Sequence, residues 1–249
     1  MTRFPNQLPA IPPPVPTVSA RDRIVDLTFP EKGALRARRV VSRSRTRPTY
    51  KYPSFKAGRM VQCESENELN AYRILDVNPF VLAFNEQPCK IRYVLDGEEH
   101  SHYPDTLVAL PNAKELWEIK PLVEARDPTT IRRTSFLVRD LPRYGYDYRL
   151  VIAEDVRRQP RLNNALTILR FGRPSLPELA RERIRRVFAE LGSITWGAVL
   201  SGAFGPLGRN HICRLILEGV LSFDIEQPLQ SETLISSLAR HSDTWALEN

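Results

Sequence analysis

Apolar side chains recur at helical spacing at Leu69, Tyr72 and Leu75, and Asn78-Pro79 stops that run, so a helix is predicted there. Strand-like runs follow at Val81–Phe84, Ile91–Leu95, Tyr103–Leu110, Leu116–Lys120 and Tyr148–Ala153, with Gly97 and Pro111-Asn112 as turns. Between the last two runs, residues 129–141 read as a helix that buries Ile131, Phe136, Leu137 and Leu141. The order of helix, antiparallel strands, helix and strand predicts a mixed α/β domain over residues 48–155.

Residues 156–176 are rich in Arg, Pro and Asn and read as a connector with one short apolar piece, Leu166–Leu169. Pro177 then opens a helix with an apolar stripe of Leu179, Ile184, Val187, Phe188 and Leu191, closed by Gly192. Short helices at Trp196–Ala203 and Asn210–Glu218 and a strand at Val220–Ile225 complete residues 177–249. Helix, helix, helix and strand is the order of a winged-helix-like module. Residues 1–47 lack such periodicity. Six of the 21 prolines fall in the first 20 residues, and Arg36, Arg38, Arg39, Arg43, Arg45 and Arg47 crowd the next stretch. An extended or partly disordered arm is expected, either solvated or laid on phosphates.

Composition narrows the function classes. Of 249 residues, 36 are Lys or Arg and 29 are Asp or Glu, a formal net charge of +7 that favours an anionic partner, nucleic acid first. No apolar run approaches the roughly 20 residues of a membrane helix, and no secretory leader is visible at the N-terminus. Cys63, Cys89 and Cys213 are odd in number and widely spaced, so neither a disulfide scaffold nor a cysteine zinc site is expected; a reducing, cytoplasmic setting is.

The sharpest chemical signal is Tyr103-Pro104-Asp105 followed by Trp117-Glu118-Ile119-Lys120. Residues two apart on a strand share a face, so Glu118 and Lys120 point one way and Trp117 and Ile119 the other. With a four-residue turn at Pro111–Lys114, Asp105 would lie across from Lys120, with Glu118 its diagonal neighbour about 7–8 Å away. Two such carboxylates suit one hard divalent cation, Mg²⁺ or Mn²⁺, with the ammonium beside it for an attacking water or developing charge. Glu64 and Glu68 share a face of the preceding helix. Glu68 has two readings: a third metal ligand, or the partner of Ser65 in a capping box. His100 and His102 need no metal role. Arg209, Asn210 and Arg214 on the predicted helix around His211 are candidate DNA contacts, or the module docks a protein.

Several separate motifs resemble, in order, the TnsA family, the endonuclease subunits of heteromeric transposases. They are Val41-Ser42-Arg43-Ser44, Tyr52-Pro53-Ser54-Phe55-Lys56-x-Gly58-Arg59, Glu64-Ser65-x-x-Glu68-Leu69, Asn78-Pro79, Glu86-Gln87-Pro88, Tyr103-Pro104-Asp105 and Trp117-Glu118-Ile119-Lys120-Pro121. The resemblance covers about residues 40–121. It implies a restriction-endonuclease-like PD-(D/E)xK core, a mixed sheet flanked by helices, followed by the smaller winged-helix-like domain. It implies catalytic Glu68, Asp105, Glu118 and Lys120, with the three acids on Mg²⁺, for which Mn²⁺ substitutes. Arg43, Arg45, Arg47, Lys56, Arg59 and Gln87 join the candidate DNA contacts. The implied activity is cleavage of the non-transferred strand at the 5′ ends of a transposon. The implied partners are double-stranded transposon-end DNA, a DDE transposase and a regulatory AAA+ ATPase, at the bacterial nucleoid and away from membranes. The alternatives are another nuclease of the same core, of resolvase or restriction type, and a catalytically silent DNA-binding adaptor.

Overall fold

The computed structural model describes residues 21–31, 36–37 and 49–238. The described residues divide into two compact units, one of those up to Asp76 with Phe80–Arg158, the other of Val77–Pro79 with those from Gln159 onward.

The first unit opens with β1 (Arg23–Thr28), β2 (Tyr50–Pro53) and β3 (Met60–Cys63), then α1 (Glu66–Val77). Next come β4 (Ala83–Glu86), β5 (Lys90–Leu95), β6 (Glu98–His102), β7 (Thr106–Ala109) and β8 (Lys114–Lys120). Helices α2 (Leu122–Ala125) and α3 (Pro128–Asp140) lead to β9 (Asp147–Ile152) and α4 (Ala153–Val156). The main sheet runs β4-β7-β8-β9, antiparallel except for the parallel β8–β9 pair, which the α3 crossover makes possible. A second sheet runs β1-β5-β6, and β2 pairs with β3. Residues 23–28, expected in a loose arm, are thus an edge strand whose Leu27 lies opposite Ile91. Of the rest of that expected arm, residues 29–31 and 36–37 are described, while Arg43, Arg45 and Arg47 lie outside the described residues.

Helices cover both faces of the main sheet. Tyr72 of α1 stacks on Phe84 at 5.2 Å, and Phe84 pairs with Val108. The neighbouring Leu107 pairs with Leu116 on the opposite face, where Phe136 and Leu137 of α3 close a core with Ile91, Tyr93 and Tyr148. Each such side chain contributes about 1.5–3 kcal/mol by leaving water. α3 starts where Asp127 caps it, its Oδ1 accepting from Thr129 N–H (2.9 Å) and Thr130 N–H (3.2 Å), with Pro128 at the first turn. A buried knot ties the β2–β3 turn to the end of α1. Asp76 accepts from Tyr52 OH (2.6 Å), Ser54 OH (2.8 Å), Phe55 N–H (2.8 Å) and Lys56 N–H (3.0 Å).

The second unit holds α5 (Arg161–Phe171), α6 (Glu178–Leu191), β10 (Ser193–Thr195), α7 (Trp196–Leu200), α8 (Gly208–Leu217), β11 (Leu221–Ser222) and β12 (Leu234–Ser237). Its strands form one antiparallel sheet, β10-β12-β11. The expected connector is instead helix α5, packed on α8 so closely that a Cβ on Gly172 would come within 2.8 Å of Cys213 backbone. α5 also pins the long β11–β12 loop. Asn164 Nδ2 donates to the carbonyls of Ile225 (2.9 Å) and Gln227 (2.8 Å), and Arg161 pairs with Glu226 (3.0 Å). Among the described residues no helix is long and apolar enough to cross a membrane.

Candidate active site

The β7–β8 hairpin sets the site. Its turn is tighter than expected: Leu110 N–H donates to Ala113 C=O (2.9 Å) around Pro111-Asn112, and Ala109 pairs with Lys114. The register slides by two residues from the expected one, so Asp105 comes beside Glu118 and not across from Lys120. Because side chains alternate with a period of two, that slide keeps the same set of residues on one face. The last rung is irregular. Asp105 N–H donates to Trp117 C=O (2.9 Å), and Asp105 Oδ2 accepts from Ile119 N–H (2.7 Å). Asp105 therefore brackets Glu118 along β8, its main chain fixed on one side and its carboxylate on the other. From the next strand Gln87 N–H donates to Asp105 C=O (2.8 Å), and Tyr72 OH of α1 reaches the same carbonyl (3.3 Å).

Glu118 is 5% exposed and crowded with donors. Arg133 Nη2 donates to both of its oxygens (2.8 and 2.9 Å), and Tyr148 OH donates to Oε2. Lys120 Nζ stands 3.4 Å from Oε1 and His102 Nε2 3.4 Å from Oε2. His102 Nε2 is also hydrogen bonded to Tyr148 OH (2.9 Å). Burial works against the charge of Glu118, yet His102, Arg133, Tyr148 and Lys120 together hold its carboxyl below the ordinary value. Burial pushes His102 down to about 4 against the pull of Glu118, so this imidazole is neutral at pH 7. Lys120 is held above its ordinary value despite desolvation, by Glu118 and by Glu124, 3.2 Å away.

Asp105 is the opposite case. Burial and then the Glu68 charge push its carboxyl well above the ordinary value, with Glu118 adding to the effect against Ile119 N–H and Lys120. Glu68, Glu118 and Lys120 thus all lie within electrostatic reach of Asp105. Their hydrogen bonds differ. Glu68 takes the capping-box arrangement, accepting from Ser65 OH (3.0 Å) and Glu64 N–H (2.9 Å), while Glu68 N–H donates to Ser65 Oγ (3.2 Å). With Glu68 in its cap, no three acidic, His or Cys side chains among the described residues stand at metal-ligating spacing. Hard oxygen donors and like-charge crowding at Asp105 nevertheless fit a divalent cation, which Asp105 and Glu118 would hold.

The candidate DNA contacts are placed less uniformly. Lys56 turns inward to Val81 C=O, and burial lowers its ammonium to about 8 against the Asp76 charge. Arg59 forks onto Glu86, Nη1 to Oε1 (2.8 Å) and Nη2 to Oε2 (2.6 Å). Gln87 is 4% exposed, adopts a left-handed φ of 43°, and buries an Oε1 that has no hydrogen-bond partner. On α8, Arg209 is exposed and lies 3.6 Å over the Phe171 ring, Asn210 donates to Phe171 C=O (3.1 Å), and Arg214 binds Glu218 (2.6 Å).

Sequence reasoning missed Arg133 and Tyr148. Arg133 lies three and four residues before Phe136 and Leu137, on the buried stripe of α3, and an arginine on an apolar stripe asks for an acid. Compared with known proteins, the chain matches no family model and no curated protein.

Proposed function

We propose that the chain is a divalent-metal-dependent DNA endonuclease with a restriction-endonuclease-like PD-(D/E)xK core, acting as the 5′-end-cleaving subunit of a heteromeric transposase. One observation carries the reading: Asp105 brackets Glu118 at the end of the β7–β8 hairpin, beside Lys120 and within the field of Glu68. Burial of mutually repelling acids is costly to a fold and useful to a cation site.

In this mechanism Asp105 and Glu118 would hold Mg²⁺ or Mn²⁺, with Glu68 as the third acid of the site. The cation, when bound, supplies charge for the phosphoryl oxygens and lowers the pKa of water. Lys120, kept protonated by Glu118 and Glu124, orients the attacking water and offsets the charge that builds on phosphorus oxygens. Tyr148, itself bonded to His102, fixes the Glu118 carboxylate, as an outer donor does around a ligating acid. The second unit supports a DNA-docking role as a winged-helix-like module: α6, β10, α7, α8, β11 and β12 follow in the appropriate order, and Arg209 stands exposed on α8. A net charge of +7 suits a DNA partner. A DDE transposase that cuts the other strand and an AAA+ regulator complete the proposed assembly.

The test is end cleavage of transposon DNA with Mg²⁺, in the presence of a co-expressed transposase. Asp105→Ala and Lys120→Ala should each lower nicking at the 5′ ends by at least about 10²-fold, the usual cost of losing an electrostatic group at a reacting centre. Nicking that survives both changes would place the chemistry elsewhere. A silent adaptor is the second reading, favoured by the number of protein donors already on Glu118; DNA binding without metal-dependent nicking by the wild-type chain would select it.

A further inference from the structure

Glu118 has more cationic company than a resting metal ligand needs. Arg133 Nη2 spans both carboxylate oxygens, at 2.8 and 2.9 Å, in the place where a cation would draw on the same lone pairs. The arginine is not comfortably seated. Its Nε–H is buried and has no hydrogen-bond partner among the described residues, a penalty that a changed side-chain pose would relieve. The helix beneath it is well anchored: Asp127 caps α3, and the adjacent Arg132 binds Asp96 (2.5 Å) and Asp22 (3.4 Å). Glu118 would not be set adrift by the departure of Arg133, because Tyr148 OH holds Oε2 and Lys120 and His102 stand at 3.4 Å.

We propose that Arg133 is a charge placeholder at Glu118, one that a divalent cation must displace in order to bind. The proposal rests on the nuclease reading and adds a regulatory element to the same site. In the metal-free chain the guanidinium neutralises Glu118 and keeps the core folded. The same contact weakens metal binding, since one positive charge has to leave before two more arrive. Asp105, whose carboxylate accepts from Ile119 N–H and among the described residues bonds no cationic side chain, is the half of the site already open.

Mn²⁺ binding to the full-length chain, measured by calorimetry and by the loss of the free-ion paramagnetic resonance signal, tests this without reference to activity. Arg133→Met and Arg133→Gln are compared with wild type and with Asp105→Asn, and circular dichroism and melting monitor the fold. Both arginine variants should bind Mn²⁺ at least about tenfold more tightly, because a charge-assisted hydrogen bond no longer competes. Adding Asp105→Asn should abolish the gain. Gln removes the charge while keeping a donor, so it covers the case in which Met unfolds the chain. Wild-type binding that needs Asp105, together with equal or weaker binding in both arginine variants, overturns the placeholder and leaves the nuclease reading standing. Binding indifferent to Asp105 in every variant overturns both.

Discussion

Two buried acids of the first unit sit at neighbouring places in the sheet and are treated in opposite ways. Glu86, fully buried, is gripped by Arg59 through two bonds, by Arg36 (2.7 Å) and by Gln62 N–H (3.3 Å). Burial opposes its charge, but Arg59 and Arg36 hold its carboxyl below the ordinary value. One residue further on, Gln87 hands its N–H to Asp105, whose carboxylate accepts a bond from Ile119 N–H and faces the fields of Glu68 and Glu118. The first acid is compensated and ties β4 to β3 and the segment at Arg36. The second is undercompensated. An undercompensated buried acid of this kind marks a candidate functional site.

The contrast predicts effects of different size and sign. Glu86→Ala should be the most damaging, costing about 3–5 kcal/mol in denaturant unfolding, because Arg36 and Arg59 lose a buried partner; a loss below about 1 kcal/mol would show that the pair is solvated and the contrast false. Asp105→Asn should go the other way, raising the melting temperature at neutral pH by about 2–4 °C, equivalent to about 1 kcal/mol. The amide oxygen can still accept from Ile119 N–H while the repulsion is gone. This difference should depend on pH. An unfolded aspartate titrates near 3.8, and the folded group is raised above that. Between the two values the folded chain holds a proton that the unfolded chain has released, so wild-type stability falls as pH rises through that interval and levels off once the folded group ionises. Melting curves of the Asn variant should lack that decline. Ser65→Ala should have the smallest effect on denaturant unfolding, about 0.5–1 kcal/mol for a lost helix cap, since Glu68 would keep its bond from Glu64 N–H.

Parts of this arrangement were legible in the sequence, and the physical reasons differ from element to element. α1, β5, α3, β9 and α6 carry apolar stripes of the right period, and the structure places elements there. β6 was missed because Glu98, Glu99, His100 and Ser101 are all exposed and only His102 is buried, leaving no alternation to read. β1 was missed for a similar reason, as an edge strand with only Ile24 buried. α5 was read as connector because two of its buried positions are Arg161 and Asn164, polar residues bound to the loop after β11. The hairpin register was wrong by two residues, since Pro111-Asn112 alone makes the turn, and the period of a strand left the shared face intact. The electrostatic company of Glu118 was not legible, because α3 and β9 reach it through tertiary packing.

The bonds from α5 to the β11–β12 loop also bear on how the protein can be cut. A fragment begun at Pro177, where the helical periodicity restarts, would forfeit Asn164 and Arg161 and expose the flank of α8 that Gly172 approaches. One begun at Gln159 would retain that buttress. The stretch that reads as a connector in the sequence is a keystone in three dimensions, and dissection of the second unit should spare it.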